Sequence, residues 1–420
     1  MNHIFKKIIV ALLFMILNPA SSFSLSINEL MIITNENSLI IQAEAEYLKK
    51  FNNDIELAKK NNDPSITLSG FVGAKHQETD SAEASFNPRN LNLTMSKNLF
   101  DGYKTKYSII QANDLSLQAD FLFEALKQNV YLESINSYLD LIHLRQSYDM
   151  TEQSLKLSKN NLDFRVQQHN SGDISDIELE KAKLEYSKYE FSLKKIQISI
   201  SDQEDLILDY MSTIPSSNQY PEFMDRNLNL SSESLIEFAI NNNPSIKSSQ
   251  IYLKILEHSK MIERSANLPK VNLEAGFSRN WDATDSAGQA DEYSIIGSIS
   301  IPLYESEEVN IKESNIDLDI IRNDKILKDQ INTLKREINS LLDQIELLNT
   351  EYEIENNQKE IYEKDIEIKK ESYNVGSLSK LDIYDSQIKY NEHLIRMAQI
   401  MNSRQKVHYL LLNKIGKLTQ

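Results

Sequence analysis

Long antiparallel helical hairpins, of the coiled-coil or α-barrel kind, with a few β-strands set between them are the fold class this sequence predicts. Three observations predict it. The second half of the chain echoes the first. Each half contains a run of about seventy residues without glycine or proline. Ahead of each run lie two segments in which apolar and polar residues alternate.

The echo is clearest where two helical stretches end. One reads His169-Asn-Ser-Gly172-Asp-Ile-Ser175-Asp-Ile-Glu178, the other Tyr373-Asn-Val-Gly376-Ser-Leu-Ser379-Lys-Leu-Asp382, and the two glycines stand 204 positions apart. Phe100 and Tyr304 are also 204 apart, Pro64 and Pro269 205, Gly70 and Gly276 206, and Ser38 and Ser245 207. So small a drift means two copies of one unit, and a repeat dictates architecture. The expected organisation is a leader at 1–24, a first repeat at 25–214, a linker or equatorial segment at 215–243 and a second repeat at 244–420.

Taken in order, Lys6-Lys7, the apolar run Ile8 to Leu17 and the small residues Ser22 and Ser24 form an export signal, with cleavage expected before Leu25. A helix is expected over Asn37 to Asn62, and an alternating strand over Ser65 to Ala74. A polar loop over Gln77 to Pro88 and a second strand carrying Leu91, Leu93 and Met95 follow. After Phe100 and Gly102 no glycine or proline interrupts the chain until Gly172. As one helix this run would reach roughly 100 Å at 1.5 Å per residue. Gly172 reverses the chain, as glycine does beyond a helix end, and a return helix is expected from Ser175 to Ile214.

The second repeat offers a helix over Pro244 to Asn267 and a strand with Val271, Leu273, Ala275 and Phe277. A loop over Asp282 to Glu292 leads to a strand with Ile295, Ile299 and Ile301. A long helix from Glu305 to Asn374, the Gly376 turn and a return helix from Leu378 to Lys417 complete it. Ile331, Leu334, Ile338, Leu341, Ile345, Leu348 and Tyr352 alternate spacings of three and four, as coiled-coil seams do; so do Ala182, Tyr186, Tyr189, Leu193, Ile196 and Ile200. Each strand is long enough to cross a bilayer when tilted. Four strands cannot close a barrel, and lipid does not tolerate an open sheet edge. If the strands span a membrane, those of several chains must complete one transmembrane β-barrel; otherwise each pair is a hairpin packing its apolar face on the helices. Trp281 and Tyr293 are placed to join an interfacial aromatic belt.

Composition excludes other classes. There is no cysteine, so neither disulfides nor thiolate metal sites are available. The formal charge of −17, or −19 without Lys6 and Lys7, argues against nucleic acid, whose phosphates require clustered Lys and Arg. The seven histidines are scattered, and no His-Glu-x-x-His, Gly-x-Ser-x-Gly or phosphate-binding glycine loop occurs. No enzyme activity, cofactor or metal is expected.

The Asn243-Pro244 helix start, the Leu99-Phe100-Asp101-Gly102 strand end and the Tyr373, Gly376, Ser379, Asp382 tip pattern, followed by Asp385 and Gln387, resemble the TolC family of outer membrane efflux and secretion channels. The resemblance covers about Ile27 to Lys417. It implies a homotrimer with a twelve-stranded barrel in the outer membrane of a Gram-negative bacterium, continuing into a twelve-helix periplasmic tunnel. It also implies docking, through a periplasmic adaptor protein, to an inner membrane transporter of ABC, RND or MFS type.

Such a channel would be the passive exit duct of a tripartite efflux pump or of a type I secretion system. By the same resemblance Asp382 and Asp385 form acidic rings of the periplasmic constriction. Glu178 matches the first-repeat position that helps hold it shut, and Tyr373 the tip tyrosine of the same gate. Gly172, Gly376, Ser175 and Ser379 form the helix-tip turns, and Phe100, Gly102 and Tyr304 the strand-to-helix junctions. The chain departs from the family at Glu305-Ser306, where a glycine pair is common, and at Leu378 and His169. The rival readings are a periplasmic coiled-coil adaptor, which should show glycine-rich β segments flanking a single hairpin, and a structural coiled-coil protein, which should lack matched strand pairs.

Overall fold

Ser26 and Glu29 set the first helix. The Ser26 hydroxyl accepts the Glu29 N–H at 3.3 Å, and the Glu29 carboxylate accepts the Ser26 N–H at 2.9 Å, satisfying two donors that a helix start leaves bare. Helix α1 (Ile27–Asn37) ends at Ser38, whose N–H reaches the Thr34 carbonyl, and α2 (Leu39–Lys60) follows. The computed structural model describes residues 25–79, 82–222, 231–282, 288–303 and 307–418. The expected leader and Tyr304 therefore lie outside the described residues.

The first repeat continues through β1 (Ser65–Val72), β2 (Lys75–Thr79), β3 (Ala82–Phe86), β4 (Arg89–Phe100), α3 (Lys104–Ser171) and α4 (Asp176–Leu208). The second contains α5 (Ser232–Asn242), α6 (Pro244–Arg264), a 3₁₀ turn at Ser265–Asn267, β5 (Lys270–Trp281), β6 (Gln289–Ser300), α7 (Glu308–Asn374) and α8 (Lys380–Lys414). The long helices are almost equal, 68 residues in α3 and 67 in α7. The return helices stop short of their expected ends, at Leu208 and Lys414.

The segment 215–243, read as a linker or equatorial segment, contains α5, which matches α1 in length at 11 residues and in the extended residue that ends it, Ser38 or Asn243. One expectation needs correction: the segment 77–88, read as a loop, carries most of an antiparallel hairpin, β2 with β3. Polar residues pair readily there because side chains fix the register: His76 Nδ1 lies 3.0 Å from Ser85 Oγ, and the Lys75 ammonium sits over the Phe86 ring.

The other four strands form one antiparallel sheet in the order β1–β4–β5–β6, so the two repeats meet at the β4–β5 pair. Two compact units divide the chain. One comprises Ala43–Glu124 and Pro244–Asn332 and holds the sheet. Within it α6 is tied to α3 by Gln111, which donates to Ser259 Oγ at 2.6 Å, and by His258 beside Asp114 at 3.2 Å. Lys260 to Asp317 at 2.6 Å and Arg264 to Glu313 at 2.8 Å tie it to α7.

The other unit comprises the chain up to Gln42, Ala125–Asn243 and the chain from Thr333. Its core is built on Leu30, Ile135, Tyr138, Leu139, Ile142, Leu235, Tyr409 and Leu412, all fully buried. Leu334, Ile338 and Leu341 are buried, as their coiled-coil spacing predicts. Polar groups hold the helices in register. Arg145 pairs with Glu204 between α3 and α4 at 2.8 Å. The Asp140 carboxylate accepts from Lys406 at 2.6 Å and Asn402 at 2.8 Å, joining α3 to α8.

Candidate functional site

At both helix tips the chain turns by the same device. Gly172 (φ 84°) and Gly376 (φ 79°) adopt left-handed backbone, which glycine enters without steric cost. The N–H after each reaches back five residues, Asp173 to the Gln168 carbonyl at 2.8 Å and Ser377 to the Ser372 carbonyl at 2.9 Å. Each glycine N–H reaches back three, to His169 and Tyr373. This pair of bonds is the Schellman closure, which satisfies carbonyls left over at a helix end. Ser175 and Ser379 then start α4 and α8.

The four gate candidates separate into distinct roles here. Glu178 accepts the Ser175 N–H at 3.0 Å, and Asp382 accepts both the N–H and the hydroxyl of Ser379, at 2.9 and 2.8 Å. These bonds hold both carboxyls below their ordinary range, through the backbone N–H first for Glu178 and through the Ser379 hydroxyl first for Asp382. Asp385 is exposed and accepts from Asn161 Nδ2 of α3 at 3.4 Å. Tyr373 is exposed at the tip.

Sequence reasoning missed the groups around them. Beside Asp385 stand Glu185 and Glu392, and the Tyr189 hydroxyl donates to Glu392 at 2.7 Å. Burial first, then repulsion from Asp385 and Glu392, pushes the Glu185 carboxyl up. Asp365 and Lys369 of α7 form an ion pair at 2.9 Å and both bond the buried Ser386 of α8. The i, i+4 spacing of Asp365 and Lys369 was the available signal. His169, where the second tip has Tyr373, lies 2.6 Å from Asp176 and links the end of α3 to the start of α4.

The strand-to-helix junction is equally specific. Gly102 has φ 70°, and a Cβ placed on it would lie 2.5 Å from the Ser265 carbonyl oxygen. Asp101 accepts the Thr105 N–H at 2.8 Å and begins α3, while the Phe100 ring meets Tyr103 edge-on at 5.0 Å.

Successive strand residues point to opposite faces, and the register sorts the sheet into two. One face aligns Ile66 and Leu68 with Met95 and Leu93, then Ala275 and Phe277, then Ile295 and Tyr293. Most of these side chains are exposed. The other aligns Thr67 and Ser69 with Thr94 and Asn92, then Gly276 and Ser278, then Ser294 and Glu292. Arg279, bound to Asp291 at 2.7 Å, lies over the Phe277 and Trp281 rings at one end of the sheet, close to Tyr293. Strands β4, β5 and β6 have 12 residues each, enough to cross a bilayer when tilted. Strands β1 and β6 are the open edges. No helix among the described residues is long and apolar enough to cross a membrane.

A sheet with one apolar and one polar face and two open edges, borne on coiled-coil hairpins, defines a channel subunit whose barrel closes only with further copies. The chain belongs to the outer membrane efflux protein family, whose sequence model matches residues 33–195 and 235–411. Similar solved structures include the CmeC outer membrane channel of Campylobacter jejuni (14% identity, TM-score 0.78, 93% of this chain and 86% of that one). VceC from Vibrio cholerae (14%, 0.75, 93% and 96%) and the Neisseria gonorrhoeae MtrE channel in its open state (13%, 0.72, 94% and 90%) are likewise similar. No curated protein sequence matches the chain. The protein is thus a passive channel rather than an enzyme. It resides in the Gram-negative outer membrane and extends into the periplasm, within a family that forms trimers and works with adaptor and inner membrane pump partners.

Proposed function

We propose that three copies of this chain form the exit duct of a tripartite efflux pump, passive in itself and driven by an inner membrane transporter of ABC, RND or MFS type through a periplasmic adaptor. The observation that carries the reading is the two-faced sheet: its apolar face suits lipid, and its serines, threonines and asparagines suit a water-filled lumen. The helix tips carrying Asp382, Asp385, Tyr373 and Glu178 serve as the periplasmic constriction. Residues 1–24 direct export and are removed.

Deleting the gene and measuring retention of dyes and antibiotics tests the pump role. Restored retention of small molecules on deletion, with polypeptide export unaffected, supports it. Loss of export of one polypeptide, with drug susceptibility unchanged, would assign the duct to type I secretion instead. The mature N-terminus should lie near Leu25 and the protein should fractionate with outer membranes; full-length chain in the cytoplasm would overturn the assignment of the leader.

A further inference from the structure

Lysines open helix α3. Lys104 and Lys106 stand in its first turn, which holds no acid, although the positive end of the helix dipole disfavours cations there. One repeat later, 204 positions on, the matching residues are Glu308 and Asn310, and Glu307 stands for Tyr103. The first turn of α7 is therefore acidic, as the dipole favours. The two strand-to-helix junctions carry opposite charge, and only the first sets cations against the dipole.

The first junction also aims its side chains. The β4–β5 pairing runs from Met95·Ala275 through Lys97·Leu273 to Asn98·Asn272, then skips Leu99 and pairs Phe100 with Val271. An extra residue of this kind is a β-bulge, which re-aims the side chain that follows. By plain alternation Phe100 would share the polar face with Asn98; the bulge places it on the apolar face with Leu93, Met95 and Lys97. The Phe100 ring meets Tyr103 edge-on at 5.0 Å, and the Lys106 ammonium lies over the Tyr103 ring at 5.8 Å. The apolar face thus continues past the sheet as phenylalanine, tyrosine and lysine in turn.

Tyr103 has φ 68°, a left-handed conformation that is costly for a residue with a Cβ, yet it is 52% exposed. Lys97, Lys104 and Lys106 are exposed as well. Asp63, whose charge reaches Lys97, is paired with Lys60 at 2.9 Å. None of the three exposed lysines forms an ion pair among the described residues.

The helices lead into the periplasm, so this end of the lipid-facing strand lies at the periplasmic leaflet, at the height of the headgroups. Tyrosine and lysine suit that boundary, each having an apolar body and a polar tip. We infer that Lys97, Tyr103 and Lys106 form a site for one anionic phospholipid of the periplasmic leaflet, of the phosphatidylglycerol type. The two ammonium groups take the headgroup phosphate, and the Tyr103 ring lies against the glycerol and the upper acyl chains. The phosphate supplies the anion that the first turn of α3 lacks, and the acidic second junction takes none. This site rests on the trimeric channel reading, which sets the leaflet.

Full-length trimer in mild detergent can be titrated with phosphatidylglycerol or phosphatidylethanolamine and weighed by native mass spectrometry. It should retain one phosphatidylglycerol per copy in preference to phosphatidylethanolamine. Lys97→Gln and Lys106→Gln should each weaken phosphatidylglycerol about fivefold, the usual effect of one lysine at an anionic surface, and leave phosphatidylethanolamine unchanged. Lys156→Gln, 50 positions further along α3 and roughly 75 Å away, should change neither. Tyr103→Gly, relieved of the backbone cost, should hold or raise the thermal midpoint while weakening phosphatidylglycerol, a split that a purely structural tyrosine would not give. No preference for phosphatidylglycerol in the parent, or a preference indifferent to Lys97 and Lys106, would overturn the site and leave the channel reading standing. Lipid A bound more tightly than phosphatidylglycerol through the same lysines would put this end of the sheet at the outer leaflet and overturn both. So would a parent with the native mass of a single chain.

Discussion

Glu178 and Asp382, 204 positions apart, make the same contact: each carboxylate accepts the N–H of the serine three residues earlier, at 3.0 and 2.9 Å. Two of the four gate candidates are therefore the acidic ends of matching capping boxes. Asp385 has no such duty and reaches across to Asn161 instead.

Acid should loosen these tips late. Both carboxyls titrate below their ordinary values, so the caps contribute stability above the unfolded-state pKa and lose it as pH falls through the lower folded pKa. A nitroxide at Ser377→Cys should show unchanged mobility from pH 7 to 5 and a rise only below about pH 4. Asp382→Ala should give the mobile spectrum already at pH 7. A rise centred near pH 6 would show that the caps do not govern the tip.

Cation selectivity should separate the two aspartates. If carboxylates ring the constriction, reconstituted trimers should prefer cations and be blocked by multivalent ones. Asp385→Ala should weaken preference and block more than Asp382→Ala, since one oxygen of Asp382 is engaged by Ser379. Equal currents from both variants and the parent would move the constriction elsewhere along the duct.

Glycine replacements should rank by their surroundings. Gly172→Ala meets open space and carries only the left-handed backbone cost, about 1–2 kcal/mol. Gly102→Ala adds a clash with the Ser265 carbonyl at 2.5 Å and should lower the thermal midpoint of the assembled protein well beyond that. Equal midpoints would mean that the junction relaxes around the added methyl.

The sheet faces should differ in tolerance. Leu68→Lys on the apolar face should impair assembly, with a cost of about 2–4 kcal/mol if the site lies near the bilayer midplane. Thr67→Lys, on the opposite face, should assemble and alter conductance. The heat-modifiable band on gels reads both, and the reverse ranking would exchange lipid and lumen sides.

The tips were legible in the sequence because their chemistry is local: a left-handed glycine, then a serine with an acid three residues on, leaves a pattern in the letters. The strands were legible through alternation. Helix α5 was not, since Ser232 to Asn242 follow a polar stretch and only Leu235 and Ala239 among them are buried hydrophobics. The different duties of Asp382 and Asp385 were hidden too, because i, i+3 spacing fixes a shared face but not which carboxylate turns back on its own serine.

The open edges β1 and β6 have a genetic consequence. A ring completed by identical neighbours is only as sound as its worst joint, so a faulty β1 in one copy spoils the two good copies caught with it. Alleles altered at either edge should behave as dominant in cells that also make the normal chain. Alleles that abolish synthesis should be recessive, because an absent subunit poisons nothing.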